Sequence, residues 1–214
     1  WPLSGEEESF TASDLVTDLS SLVDYLGWWS FDLGGYSMGG MVAMLYKQQY
    51  PSRIGKQFLL ESALLDRPTW DETKALRKKY SEATLHLRAA DKSVGILAFM
   101  NTISPNRRIS KQVEALTMSR LGHRPIGFAN ALDCVTATIN EVDRPALIAA
   151  QGDVTSFIGG LSVDAMHDYH QHLDDTLPNW HYVMVPGTDH SLPYQKPRNI
   201  AKTMNNEAKR FYAS

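Results

Sequence analysis

The chain has 214 residues, 43% of them hydrophobic and 21% charged, and a formal net charge of −3, a composition typical of a globular domain with a sizeable core. The Lys and Arg residues are dispersed, no apolar run has the length of a membrane span, and three glutamates near the start, Glu6 to Glu8, are unlike a signal sequence. We therefore expect a small-molecule substrate and no nucleic-acid or membrane partner. The single cysteine, Cys134, permits no intrachain disulfide, which fits a cytoplasmic location.

Helices and strands alternate in the first part of the predicted structure. Thr11 and Asp14 form a capping-box pattern ahead of Leu and Val residues at helical spacing. Short apolar runs then indicate buried strands on either side of a helix that stops before Pro51. The predicted elements are a helix from Thr11 to Gly27, a strand at 29–33, a helix at 38–49 and a strand at 54–60.

The middle of the chain, from Asp66 to Val142, is predicted to be helical without clear strands. The alternation then resumes, with predicted strands at 146–150 and 181–185 and predicted helices at 163–173 and 199–211. Strands that alternate with helices imply a mostly parallel sheet with helices on both faces, an α/β fold. We expect a core formed by residues 1–65 and 143–214 and an inserted helical cap at 66–142.

The strongest chemical motif is Gly35-Tyr36-Ser37-Met38-Gly39, a G-x-S-x-G sequence between a predicted strand and a predicted helix. In this setting the serine lies on a sharp, strained turn, and the glycines let the two backbones pass closely. Ser37 is then the candidate nucleophile, and the backbone N–H of Met38, at the helix N-terminus, is a candidate oxyanion donor. A glycine-rich turn without chemistry is the alternative.

GYSMGG, the helix before it and VPGTDHSLPYQKP near the C-terminus together resemble the α/β-hydrolase superfamily over most of the chain. The resemblance implies that His190, which follows the last strand in a loop with proline and glycine, is the catalytic base. A serine hydroxyl needs such an imidazole within hydrogen-bond reach to remove its proton.

The acid that would orient His190 is less clearly marked. In the superfamily an aspartate commonly follows the glycine that ends the seventh strand, but here Gln151-Gly152-Asp153 places Asp153 earlier than that pattern requires. The other known location is the end of the sixth strand, where FLLESALLDRP offers Glu61, as in haloalkane dehalogenases and zearalenone lactonases. We favour Glu61, with Asp153 as the alternative acid, and Asp66 or a missing acid as the remaining options.

The identity of the nucleophile limits the reactions that this site can catalyse. Dehalogenases and epoxide hydrolases attack with an aspartate, whereas this elbow presents Ser37, which favours hydrolysis of an ester or lactone through an acyl-enzyme. Fungal zearalenone lactonases resemble the chain in elbow spacing, in Glu61 and in the helical insertion. We expect a small apolar ester or lactone as substrate, no cofactor and no metal, because a solvated helix accounts for His167, His170 and His172.

The opening WPLSGEEESF is predicted to be a loop with no strand before it. Superfamily members begin with several strands, and the loop after their third strand supplies a second oxyanion donor. We therefore expect an N-terminal part to be missing, an unpaired sheet edge near Phe31 and little activity from this chain alone. The competing hypothesis is a binding protein or an inactive fragment on a hydrolase scaffold. The oligomeric state is left open.

Overall fold

The structure is a computed structural model that describes residues 7–213. The predicted N-terminal loop at residues 1–6 lies outside the described residues. The helices in the described part are α1 (Ala12–Tyr25), α2 (Met38–Gln49), α3 (Trp70–Arg88), α4 (Lys92–Ile103), α5 (Lys111–Gly122), α6 (Pro125–Glu141), α7 (Arg144–Ala149), α8 (Asp164–Thr176), α9 (Leu192–Gln195) and α10 (Pro197–Ala213). The strands are β1 (Phe31–Tyr36), β2 (Ile54–Leu60), β3 (Asp153–Gly159) and β4 (Trp180–Val185).

The four described strands form one parallel sheet in the order β1-β2-β3-β4. Tyr36 at the end of β1 pairs with Leu60 at the end of β2, and Leu60 pairs with Phe157 near the end of β3. The carboxyl ends of neighbouring parallel strands therefore meet along one edge of the sheet, where α/β folds place their ligands. The residues that directly follow these strand ends therefore lie close together.

Helices cover both faces of the sheet, as the sequence predicts. On one face Leu59 and Val154 belong to a buried cluster with Met41 and Met44 of α2 and Leu173 of α8. On the other face, a second cluster joins β2 and β3 to α9 and α10; its buried members are Phe58, Leu60, Phe157, Val185, Leu192 and Ile200. Since each strand alternates its side chains between faces, both faces need an apolar partner. The α/β fold class is confirmed.

Helices α3 to α6 fill the segment predicted to be a cap. They have a buried cluster of their own, which includes Tyr80, Leu87 and Met100. Thr69 caps α3 with Glu72 in a reciprocal capping box, and Pro125 opens α6. The division of the chain into a core and a cap stays a prediction. Within residues 7–213, no helix combines the length and the apolarity that crossing a membrane requires.

The predicted strand at 146–150 is wrong. Residues Arg144–Ala149 form α7, whose first turn is capped by the Asp143 side chain and contains Pro145. The strand instead follows at Asp153–Gly159. A short apolar run such as ALIAA does not by itself separate strand from helix, and the cap and proline favour the helix here. A smaller correction concerns β1, which begins at Phe31 and extends through two glycines to Tyr36.

Candidate active site

Ser37 lies between β1 and α2 in a strained backbone conformation, with φ 54° and ψ −119°. This region is costly for a residue with a side chain, and such strain is found at functional turns. Hydrogen bonds hold the turn in place: the Ser37 N–H donates to the Leu60 carbonyl at 2.9 Å, and the Ser37 carbonyl accepts from the Ala63 N–H at 3.1 Å. The serine is therefore held at the carboxyl end of β2.

Glycines on both sides of Ser37 make the close approach feasible. A Cβ atom on Gly35 would lie 2.3 Å from the Gly39 carbonyl oxygen, and one on Gly40 would lie 2.8 Å from the Ser62 Cβ. A Cβ on Gly39, in contrast, would have no neighbour within 4 Å. Of the elbow glycines, Gly35 and Gly40 are thus required by packing.

His190 reaches Ser37 from the loop that follows β4. Its Nε2 atom lies 3.1 Å from the Ser37 Oγ, and its ring packs 5.0 Å from the Tyr36 ring, centroid to centroid. His190 is buried, and an aromatic ring at this distance restricts the orientation of the imidazole. The structure therefore brings the predicted nucleophile and the predicted base into hydrogen-bond contact.

Glu61 lies on the other side of the imidazole. The His190 Nδ1 donates to the Glu61 Oε2 at 2.7 Å, which leaves Nε2 as the acceptor for the serine hydroxyl. The other carboxylate oxygen accepts from the Gly159 N–H at 2.8 Å and from the Ser162 hydroxyl. Burial by itself raises the pKa of Glu61, but the contact with His190 and the two further hydrogen bonds outweigh it and hold the pKa below its usual range.

Glu61 has a second unusual feature, a φ of 41°. Among the described residues that are not glycine, positive φ values occur at Glu61 and Ser37, and both belong to this site. Backbone strain of this kind persists only where the surroundings determine the conformation. The strained turn after β2 directs the carboxylate toward His190.

Asp153, the alternative acid, lies elsewhere. It is the first residue of β3 and therefore lies at the opposite edge of the sheet from Ser37. Its carboxylate forms ion pairs with Lys56 and Arg210 instead of contacting His190. A strand at 146–150 would place Asp153 after the end of that strand, whereas Asp153 begins β3. The structure brings together Ser37, Glu61 and His190, and it does not bring Asp153 to them.

Ser162 is a site residue that the sequence did not single out. The glycine that ends β3 is Gly159, so Ser162 lies in the place where the superfamily commonly carries its aspartate, and it donates a hydrogen bond to Glu61. Correct placement of β3 was the signal that would have identified it. Met38, the predicted oxyanion donor, is the first residue of α2, where its N–H has no acceptor within the helix. That role stays a prediction.

Two cavities meet at Ser37 and His190. The smaller, about 90 Å³, also contacts Met38 and Glu61. It ends at Asp66, which follows β2, and at Arg77, Tyr80 and Leu132 of α3 and α6. The larger, about 440 Å³, lies on the side of Asp189 and Ser191 under α4 and α5. Phe99 and Phe128 line both cavities, and Met100 lines the larger one.

A third and roomier cavity, about 530 Å³, lies between α1, α2 and α6 and includes Phe10, Val16 and Cys134. It contains none of Ser37, Glu61 and His190, so its size does not mark it as the site. Asp66, the remaining candidate acid, lines the small cavity, and its carboxylate forms no hydrogen bond with His190. Burial raises the pKa of Asp66 to about 6.

Comparison with known proteins agrees with this architecture. Residues 2–93 match the family model described as alpha/beta hydrolase fold. A putative 2-succinyl-6-hydroxy-2,4-cyclohexadiene-1-carboxylate synthase of Bacillus subtilis is 25% identical over 95% of this chain and 74% of its own length. The family match includes the elbow, and the Bacillus subtilis relative aligns with nearly the whole chain.

Solved structures share the fold at lower identity. MenH from S. aureus superposes with a TM-score of 0.76 at 17% identity, over 99% of this chain and 80% of that one. A thermophilic esterase from Thermogutta terrifontis superposes with a TM-score of 0.68 at 20% identity, over 97% and 75% of the two chains. An esterase from Exiguobacterium antarcticum gives 0.74 at 14% identity, over 94% and 75%. The strained serine turn and the sheet order agree with these matches, and the chain has the alpha/beta hydrolase fold.

Proposed function

We propose that the chain is a serine hydrolase that cleaves a carboxylic ester or lactone through an acyl-enzyme on Ser37. The observation that carries the proposal is the continuous contact from the Ser37 Oγ to His190 and from His190 to Glu61, at 3.1 and 2.7 Å. A nucleophile bonded to a base, with the base bonded to an orienting acid, is the arrangement that acyl transfer needs.

In the proposed acylation step, the Ser37 Oγ attacks the carbonyl carbon while the His190 Nε2 takes the hydroxyl proton. The charge that develops on the carbonyl oxygen falls beside the Met38 N–H and the positive end of α2. Collapse of the intermediate breaks the bond to the alcohol oxygen, which receives the proton from His190. The acyl group then remains on Ser37.

Deacylation repeats these steps with water. His190 removes a proton from the water, the hydroxide attacks the acyl carbonyl, and the bond to the Ser37 Oγ breaks as His190 returns the proton to it. Glu61 keeps its charge and stabilises the imidazolium in both steps, in agreement with the lowered pKa of its carboxyl group. A lactone would give a single hydroxy acid in place of an acid and an alcohol.

The fold alone does not choose this reaction. The Bacillus subtilis relative is named as a synthase and two of the solved structures as esterases, and one fold carries different chemistries. The proposal therefore depends on the site. The sequence resemblance leaves both esters and lactones open as substrates, and the mostly apolar cavity of about 440 Å³ offers room for a bulky apolar group.

The test combines labelling with turnover. A fluorophosphonate probe is expected to modify Ser37, identified by mass spectrometry of the labelled peptide, and 4-nitrophenyl butyrate is expected to be hydrolysed, slowly where this chain is tested alone. Ser37→Ala should lose both the label and the turnover, by a factor on the order of 10⁶ in kcat. Ser21→Ala, on the exposed surface of α1, is the matched control and should retain both. Unlabelled Ser37 in the folded protein, or hydrolysis by Ser37→Ala, would favour a binding protein instead.

A further inference from the structure

The small cavity beside Ser37 ends in polar groups that the proposed reaction does not use. Asp66 is 3% exposed and Tyr80 is 1% exposed, and both line this cavity together with Ser37. The Asp66 carboxylate forms no hydrogen bond or ion pair within residues 7–213, and the Tyr80 hydroxyl is likewise without a hydrogen-bond partner in that range. Buried polar groups are rarely left in this state, because each loses its hydration without compensation.

Arg77 adds a cation to the same cavity. Its Nε donates to the Thr136 hydroxyl at 3.0 Å and its Nη2 to the Leu132 carbonyl at 2.8 Å, and the guanidinium lies 4.3 Å from the centre of the Tyr80 ring. Its Nη1 forms no hydrogen bond with the described residues. The guanidinium is therefore fixed in place, with donor capacity left over and no direct ion pair to Asp66.

Charge decides which ligand group suits this end of the cavity. An ammonium group would face the Arg77 cation, and a carboxylate would face Asp66, so like charges oppose either ion. A neutral hydroxyl group both donates and accepts hydrogen bonds. It would donate to the Asp66 carboxylate and accept from Arg77 or Tyr80, which satisfies groups that the protein leaves unpaired.

The lining residues also assign the two cavities to the two halves of an ester. Met38, the proposed oxyanion donor, lines the small cavity, so the acyl carbonyl and its substituent belong on that side. The large cavity lies beside Asp189 and Ser191, on either side of His190, which protonates the departing alcohol. The small cavity has a volume of about 90 Å³ against about 440 Å³ for the large one, so the acyl chain is expected to be short.

We propose that the small cavity is an acyl pocket specific for a short acyl chain that carries a hydroxyl group, with Asp66 and Tyr80 as its specificity-determining residues. This inference rests on the proposed ester hydrolysis at Ser37. In this proposal the substrate hydroxyl supplies the hydrogen bond that the Asp66 carboxylate lacks in the protein alone.

The experiment compares 4-nitrophenyl 3-hydroxybutyrate with 4-nitrophenyl butyrate. The wild-type protein is expected to prefer the hydroxylated ester by about 10- to 100-fold in kcat/KM, the usual effect of one hydrogen bond to a charged group. Asp66→Leu should bring the ratio of the two kcat/KM values close to one, and Tyr80→Phe should lower that ratio. Asp71→Asn, an exposed aspartate near the start of α3, is the matched control and should keep the full preference.

A stability measurement separates recognition from a structural role. Because Asp66 is a buried carboxylate without a bonded partner, Asp66→Asn should raise the urea midpoint at pH 8 while it lowers the preference for the hydroxylated ester. A lower urea midpoint for Asp66→Asn, together with equal losses of kcat/KM on both esters, would mean that Asp66 holds helices α3 to α6 to the rest of the fold. That result would overturn the proposal.

Binding to Ser37→Ala, measured by calorimetry with methyl 3-hydroxybutyrate and methyl butyrate, distinguishes the two proposals. Tighter binding of the hydroxylated ester, without turnover by the wild type, would refute the hydrolase and keep the polar pocket. Equal binding of both esters, or equal turnover of both nitrophenyl esters by the wild type and Asp66→Leu, would refute the polar pocket and leave the hydrolase intact.

Discussion

Glu61→Gln is the substitution that tests the site most sharply. The carboxylate is 1% exposed and accepts from His190, Gly159 and Ser162. A glutamine has one oxygen that accepts and one NH2 group that donates. If the oxygen keeps the bonds from Gly159 and Ser162, the NH2 group faces the His190 Nδ1.

That exchange changes the tautomer of the imidazole. Nδ1 must then accept, so the proton moves to Nε2, and Nε2 can no longer take the proton of the Ser37 hydroxyl. The reverse orientation of the amide would point its NH2 group at the Gly159 N–H, which is also a donor. We expect kcat to fall about 10⁴-fold, the loss measured when the orienting acid of a comparable triad becomes an amide, or about 5.5 kcal/mol of activation free energy.

The assay is steady-state hydrolysis of 4-nitrophenyl butyrate, with circular dichroism to verify the fold. Asp153→Asn is the control, and kcat is expected to stay within about threefold because Asp153 lies at the far edge of the sheet. Its thermal midpoint should fall, since the buried Lys56 would lose an ionic partner. A folded Glu61→Gln variant with more than a tenth of wild-type kcat, or an Asp153→Asn variant that is equally inactive, would refute the reasoning.

Two further predictions concern stability. In urea titrations, Gly35→Ala should lower the free energy of unfolding by about 3 kcal/mol or more, because its Cβ would lie 2.3 Å from a backbone oxygen. Gly39→Ala has open space around the new Cβ and should be neutral or stabilising by up to about 1 kcal/mol. Equal effects of the two would contradict the elbow geometry. Burial lowers the pKa of His170 to about 4, so the unfolded chain binds this proton more readily than the folded chain between pH 6.5 and 4. Relative to His170→Gln, the wild type should therefore lose about 3 kcal/mol of stability as the pH falls from 7 to 4, and a pH-independent difference between the two would rule this out.

Where a local signal was strong, the sequence predicted the element closely. The bounds of β2 and α2 match the prediction, since the glycine elbow marks the start of the helix and Pro51 lies just beyond its end. The ALIAA segment has no such unambiguous marker, and its neighbours Asp143 and Pro145 were the residues that favoured a helix. The error moved the predicted strand by several residues and placed Asp153 at the wrong sheet edge.

The residues of the candidate site also differ in how far the sequence alone identifies them. Ser37 and His190 lie in motifs whose spacing is local, so sequence was enough to select them. Ser162 and Asp66 depend on which side chains converge across the sheet and beneath the cap, and no spacing along the chain encodes that convergence. The sequence could propose Asp66 as an acid, but only the structure assigns it to a cavity without a bonded partner.

The position of the acid follows from the parallel register of β2 and β3. Leu60 pairs with Phe157, so the turns after both strands open onto the same edge, and a carboxylate from either turn has a short path to His190. Here the turn after β2 supplies the acid, at the cost of a positive φ at Glu61, and the turn after β3 supplies a hydroxyl and an N–H that hold it. Removing the Ser162 hydroxyl would thus weaken the support of Glu61 without removing the acid. The register therefore places the turns after β2 and β3 within reach of His190, and the hydrogen bonds from Gly159 and Ser162 hold the Glu61 carboxylate in that position.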